Sequence, residues 1–194
     1  MDVLFASHNQ NKLKEIKELL KGTDINIISL SDLNDLDMVH ETGETFQENA
    51  IQKAKYFYDK YKMPTISDDS GLIVDSLDGK PGVFSARYAS NNATDQKNNK
   101  MLLYNMRNVA NRKGYFLCIV CYISNGNYYL FEGKLDGTIA EDIKGDKGFG
   151  YDPLFVVKDG TRLSQLDTGT KNKISHRANA LRKWLEFVLI KEQR

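Results

Sequence analysis

Cysteine and proline are scarce in this 194-residue chain, and long apolar runs and a surplus of either charge are missing. It holds two cysteines, Cys118 and Cys121, spaced as C-x-x-C inside the strand-like run Tyr115–Ile123. Side chains three apart on a strand point to opposite faces, so a shared metal is not expected and two core thiols are. With only three prolines, no repeat and no low-complexity tract, the chain offers no linker. One domain, or one domain with two lobes, is therefore expected. No apolar run is long enough to span a bilayer, so no membrane partner is expected. Met1–Ala6 lacks the basic region and long apolar stretch of a signal peptide, so a cytoplasmic location is expected. Lys and Arg total 27 against 26 Asp and Glu, a formal charge of +1. Such a balance gives no field for holding polymeric nucleic acid, although a local pocket for a small anion remains open.

What is present is periodicity of two kinds. Val3–Ala6, Ile25–Leu30, Thr65–Ser67 and Leu72–Leu77 read as short strands. Lys12–Leu20 reads as an amphipathic helix, with Leu13, Ile16, Leu19 and Leu20 on one face. Thr45-Phe46-Gln47-Glu48 has the form of a capping box and opens a helix to about Tyr61, with Phe46, Ala50, Ala54 and Phe57 as its buried stripe. Ala93–Gln96 leads into a helix to about Arg107. Tyr115–Ser124 and Tyr128–Leu135 flank Asn125-Gly126, a hairpin signal. Ser175 caps a last helix carrying Ala178, Leu181, Leu185 and Val188. The mix predicts an α/β fold with a mixed sheet.

Five polar stretches carry candidate chemistry. Ser7-His8-Asn9-Gln10-Asn11-Lys12 joins a buried strand to a helix start, where free N–H groups and a lysine suit phosphate without any Walker A pattern. Ser67-Asp68-Asp69-Ser70-Gly71 sets two carboxylates between apolar strands. Hard cations take such ligands, and like charge pushes one carboxyl towards general-base duty. In the third stretch, Glu41–Lys53, Asn49 and Lys53 share a helix face and Lys53 could reach a phosphate. Gly145–Pro153 presents Phe149 and Tyr151, read as exposed, on a glycine-rich turn able to stack on a base. Lys171–Arg177 gathers cations and donors suited to a purine carbonyl. On the residues alone, each stretch has an ordinary alternative: a capped polar loop, an acidic turn, a solvated lysine, an aromatic plug or a basic turn.

Taken in order, the motifs narrow the choice. Ser7-x-Asn9-x-x-Lys12, Thr42-Gly43-x-Thr45-Phe46-x-Glu48-Asn49-Ala50-x-x-Lys53-Ala54 and Asp68-Asp69-Ser70-Gly71-Leu72 come first. Pro81–Tyr88, Gly148-Phe149-Gly150-Tyr151-Asp152-Pro153 and Ser175-His176-Arg177 follow. Together they resemble the inosine triphosphate pyrophosphatase family over nearly the whole chain. The resemblance implies an elongated two-lobed α/β fold around a mixed β-sheet with flanking helices, with a nucleotide cleft between the lobes, in a homodimer. It implies Mg²⁺-dependent hydrolysis of a small-molecule purine nucleoside triphosphate (dITP, ITP or XTP) to the monophosphate and pyrophosphate. Ser7, His8, Asn9, Gln10, Asn11 and Lys12 would hold the triphosphate. Asp69 would be general base and metal ligand, with Asp68 and Lys53 supporting metal and phosphates. Ser70, Phe149, Gly150, Tyr151 and Asp152 would line the nucleoside pocket, Phe149 against the base. Lys171, His176 and Arg177 would read the purine. One departure stands out: many bacterial members carry two acidic residues where this chain has His40 and Glu41. Mg²⁺ prefers oxygen to imidazole, which leaves Glu41 or a water to complete the metal set beside Asp69.

Overall fold

Strand β1 (Asp2–Phe5) is apolar on both sides because it is covered on both sides. Val3 and Phe5 pack with Ile16 of helix α1 (Gln10–Leu19) and with Trp184 and Leu181 of helix α5 (His176–Glu192). Leu4 and Ala6 pack instead with Leu30 and with Phe57 of helix α2 (Phe46–Tyr61). A doubly covered strand has no polar face to show, so it reads as a run rather than an alternation. Strands β2 (Asn26–Ser29) and β3 (Thr65–Val74) flank β1, both parallel to it, with Val3 opposite Ile27 and Phe5 opposite Ile66.

The chain, a computed structural model describing residues 1–192, continues through helix α3 (Asp95–Asn105) and strands β4 (Lys113–Ser124), β5 (Asn127–Ile139) and β6 (Phe155–Val156) to helix α4 (Thr168–Ile174). Among the described residues the sheet order is β2-β1-β3-β4-β5-β6. Its β5–β6 pair is antiparallel, with Ile139 opposite Phe155, so the sheet is mixed as the sequence predicts. Asn125 and Gly126 turn between β4 and β5 with φ of 51° and 76°, the left-handed pair that a two-residue hairpin demands.

Two compact units emerge. The first comprises Met1–Asp69, Cys118–Gly133 and residues 177–192. Its core joins Val3, Phe5, Ile16, Cys118, Val120 and Trp184. The second comprises Ser70–Leu117 and Lys134–His176, built on Leu72, Val74, Leu102, Met106, Phe155 and Leu163. Strand β3 crosses from one unit to the other between Asp69 and Ser70.

Three readings need correction. Thr65–Ser67 and Leu72–Leu77 are not two strands about an acidic turn. β3 runs unbroken through Asp68, Asp69, Ser70 and Gly71 to Val74, and a short 3-10 turn, Asp75–Leu77, follows. The acidic pair stays extended because it is buried and charge-compensated. Helix α4 and strand β6 were not foreseen, being too short for a periodic signal. Finally, Tyr151 is buried, 3% exposed, with its hydroxyl donating to the carbonyl of Ser85 at 2.8 Å. The capping box at Thr45 and Glu48 is present in both directions, and its helix buries all four residues of the expected stripe. Cys118 and Cys121 are free and buried; burial pushes the Cys121 thiol up to about 12.

Candidate active site

The first unit gathers charge around Asp68 and Asp69. Asn9 caps α1, its side chain accepting from the N–H groups of Asn11 and Lys12 at 3.0 and 3.2 Å, while Ser7 Oγ accepts from Asn9 N–H. That cap fixes Lys12 in the first helical turn, and its ammonium reaches Asp68 Oδ2 at 3.0 Å. From α5, Arg177 Nε donates to the same oxygen at 3.0 Å, and Arg177 Nη1 donates to Glu15 at 2.5 Å. Glu15 stands three residues after Lys12 on α1, a helical spacing that puts both side chains on one face. Cys118 Sγ approaches Asp68 Oδ2 at 3.8 Å. Burial alone would raise the Asp68 carboxyl; Lys12 and Arg177, then Lys53, outweigh it and hold it well below the usual range. Asp68 is therefore a fixed anion.

Asp69, next along the strand, meets a different helix. Asn49 Nδ2 donates to Asp69 Oδ2 at 3.1 Å, and Lys53, one turn further along α2, lies 3.7 Å from Asp69 Oδ1. Lys53 also pairs with Glu41 at 2.5 Å. Asn49 is held in turn by Gly43, whose N–H donates to Asn49 Oδ1 at 2.8 Å. A Cβ at Gly43 would sit 2.6 Å from that oxygen, so the approach admits only glycine. Burial raises the Asp69 carboxyl; Lys53 and Lys12 oppose this without overcoming it, and Glu41 adds to it. Burial would depress Lys53, but Asp69, Glu41 and Asp68 leave its ammonium raised and charged. The neighbouring carboxylates are thus set apart, one pinned as an anion and one pushed towards proton uptake.

The oxygens of Asp69 and Glu41, drawn together by Lys53, are the hard donors that a magnesium ion takes alongside water and phosphate oxygens. Among the described residues no three His, Cys, Asp or Glu side chains converge to hold a metal by themselves. His40 is exposed, and His8 pairs through Nε2 with the carbonyl of Asp37 at 2.8 Å, linking the α1 loop to the segment leading to Glu41. Gln10 and Asn11 are exposed at the helix start.

In the second unit, Lys171 of α4 pairs with Asp152 at 2.6 Å and lies 4.6 Å from the centroid of the Phe149 ring. Asp152 Oδ2 also accepts from Phe149 N–H at 2.9 Å. Gly148 packs so closely on Asp152 that any side chain there would collide with the carboxylate. Gly150 is held by Asp95 and Asn99 of α3. The His176 ring stacks on Phe116, 4.7 Å between centroids and 10° from parallel. Ser70 is half-buried on β3.

Of the residues singled out from sequence, Lys12, Asp68 and Arg177 form one ion-paired group in the first unit and Glu41, Lys53 and Asp69 a second, centred on adjacent residues of β3. Phe149, Asp152 and Lys171 share a cluster in the second unit. Arg177 belongs to Asp68 and Glu15, a placement that the chain order beside His176 does not reveal. Sequence reasoning missed Glu15, Cys118, Asp95 and Asn99 as members of these clusters. Glu15 had a signal, an acidic residue at helical spacing from Lys12; the others had none.

A mixed-sheet α/β protein with a buried, charge-matched carboxylate pair is the class that fold and site define. The sequence model of the Ham1 family matches residues 3–187. A dITP/XTP pyrophosphatase from a Thermoanaerobacter species is 43% identical over 192 residues, covering 97% of each chain. Among solved structures, the Ham1 protein of Staphylococcus aureus superposes with a TM-score of 0.89 at 36% identity, over 98% of this chain and 100% of its own. A HAM1 protein from Coxiella burnetii gives the same TM-score and identity, over 98% and 99%. The chain belongs to the Ham1 family.

Proposed function

We propose that this protein hydrolyses non-standard purine nucleoside triphosphates (dITP, ITP and XTP) to the nucleoside monophosphate and pyrophosphate, with Mg²⁺ as cofactor. The observation that carries the reading is Asp69: a buried carboxylate of raised proton affinity, oriented by Asn49 and flanked by Lys53 and Glu41. Its relatives of 43% identity bear the name dITP/XTP pyrophosphatase.

In this mechanism Asp69 takes a proton from water as the water oxygen bonds to the α-phosphorus. The bond from the α-phosphorus to the bridging oxygen breaks, and pyrophosphate leaves with that electron pair. Lys12 and Lys53 stabilise the charge on the departing group, and the capped loop Ser7–Lys12 orients the phosphates. Asp69 and Glu41 would hold the magnesium ion, which neutralises phosphate charge when bound. Asp68 keeps Lys12 and Arg177 in place.

Ser70, Phe149, Gly150, Tyr151 and Asp152 shape the nucleoside end, Tyr151 from its buried position. Lys171, His176 and Arg177 read the base. Arg177 has Nε and Nη1 held by Asp68 and Glu15, which sets its guanidinium in one orientation. Hypoxanthine and xanthine present a 6-keto acceptor to such donors, whereas adenine presents a 6-amino donor. A mismatch that leaves buried donors unpaired discriminates by about 10⁴-fold in kcat/KM. The protein is taken to work as a homodimer in the cytoplasm.

The test is turnover of dITP, XTP, dGTP and dATP, each with Mg²⁺, with products separated by chromatography. Monophosphate and pyrophosphate from dITP and XTP, with little from dATP, are expected; guanine shares the 6-keto acceptor, so low turnover of dGTP would have to come from refusal of its 2-amino group. Equal turnover of dATP and dITP would refute the specificity, and an Asp69→Asn protein with full activity would refute the role of Asp69.

A further inference from the structure

The turn that carries Phe149 is gripped from outside its own loop. Gly148 and Gly150 both have positive φ, 77° and 61°, in a segment that lies outside any helix or strand. Asp152 takes the N–H of Phe149. The next peptide group is taken from α3: Asp95 Oδ2 accepts the N–H of Gly150 at 2.7 Å. Asn99, one helical turn further on, donates from Nδ2 to the carbonyl of Gly150 at 2.8 Å. The same Nδ2 donates to the carbonyl of Asp95, also at 2.8 Å.

The chemistry leaves little choice of residue at 99. Two carbonyl oxygens converge on Nδ2, so a flipped amide would set oxygen against oxygen. Asn99 is only 3% exposed, yet among the described residues its Oδ1 accepts no hydrogen bond. A buried acceptor left unmet is costly, so the amide earns its place through its donors. Leucine would fill the volume and donate nothing; aspartate would repel both carbonyls. Asp95 is exposed in the first turn of α3, where any small residue would be tolerated for packing alone.

We infer that Asp95 and Asn99 are positioning residues of the base pocket: α3 clamps both sides of Gly150 and thereby fixes the Phe149 ring, with Lys171 across its face, for stacking on the purine. The inference rests on the proposed purine triphosphate substrate and adds to it the residues that set base affinity. Both residues act on the Gly150 peptide group, in the unit that does not hold Asp69. Loosening the clamp therefore weakens purine binding while leaving bond cleavage intact.

The experiment compares wild-type protein with Asn99→Leu and Asp95→Ala in steady-state hydrolysis of dITP, with amide hydrogen exchange of the peptide containing Gly150 measured alongside. A lost base–aromatic stack is expected to raise KM for dITP about tenfold with kcat within about threefold. Exchange at Gly150 is expected to quicken in Asp95→Ala, whose N–H loses its acceptor. A merely misfolded fraction would lower apparent kcat and leave KM alone. Should Asn99→Leu fail to fold, Asp95→Ala carries the test by itself. If wild type turns over dITP and neither variant moves KM, the positioning role is overturned. If wild type itself leaves dITP intact, the substrate reading fails, and exchange then decides the clamp: quickened exchange supports it, unchanged exchange overturns it.

Discussion

Replacing Arg177 by methionine removes a cation that joins Asp68 to Glu15 while keeping most of the side-chain volume. Both acids are buried, 2% and 6% exposed, and both lie within 3.0 Å of the guanidinium. Asp68 would retain Lys12, but Glu15 would lose a partner 2.5 Å away. Breaking a buried pair from one side costs about 3–5 kcal/mol, because the remaining charge stays desolvated. In a chain of this size each kcal/mol lowers the melting temperature by about 2–4 °C, so a fall of roughly 6–20 °C is expected. The same reasoning demands coupling: with Arg177 gone, Glu15→Leu should remove a buried charge that has lost its guanidinium. The double variant should therefore be more stable than the sum of the single effects by about 1 kcal/mol or more. Thermal and urea melts of the four proteins in the cycle give the answer. A loss under 1 kcal/mol for Arg177→Met, or strict additivity, would show that the guanidinium does not hold this network together.

Three further outcomes follow from the same geometry. Asn49→Leu leaves Asp69 without its amide donor, and a misplaced base is expected to lower kcat up to about 10²-fold, measured on dITP with Mg²⁺ saturating. Gly43→Ala forces a Cβ against Asn49 and should destabilise by about 1–3 kcal/mol as well as reduce turnover, read by melting and by rate. Asp35 would be raised by its burial, but hydrogen bonds from Lys60 and Tyr61 overcome this and hold it at about 2. A depressed carboxyl contributes stability in full above its unfolded value near 4 and loses it as the pH falls towards 2. Urea midpoints of wild type should therefore drop more steeply over that window than those of Asp35→Asn.

Helix α2 was legible almost residue by residue, since capping box, apolar stripe and terminus are all local signals. The hairpin at Asn125-Gly126 was equally plain. Strand β3 was misread at its most important point because two adjacent aspartates look like a solvated turn to any local rule. What keeps them extended arrives from elsewhere: Lys12 from α1, Lys53 from α2 and Arg177 from α5. Tyr151 looked exposed on its glycine turn, yet its hydroxyl finds the carbonyl of Ser85, 66 positions away in sequence. The ordered motifs list residues that the fold gathers into separate charged groups. They did not show that Arg177 bonds to Asp68 while Lys171 bonds to Asp152, since neighbouring positions in sequence carry no information about which charge each will meet.

The central claim, that water attacks the α-phosphorus and pyrophosphate leaves, is tested most directly by hydrolysis of dITP in ¹⁸O-labelled water, with both products weighed by mass spectrometry. The account expects one labelled oxygen in the nucleoside monophosphate and none in pyrophosphate. Label in the pyrophosphate, or release of diphosphate and orthophosphate, would contradict it.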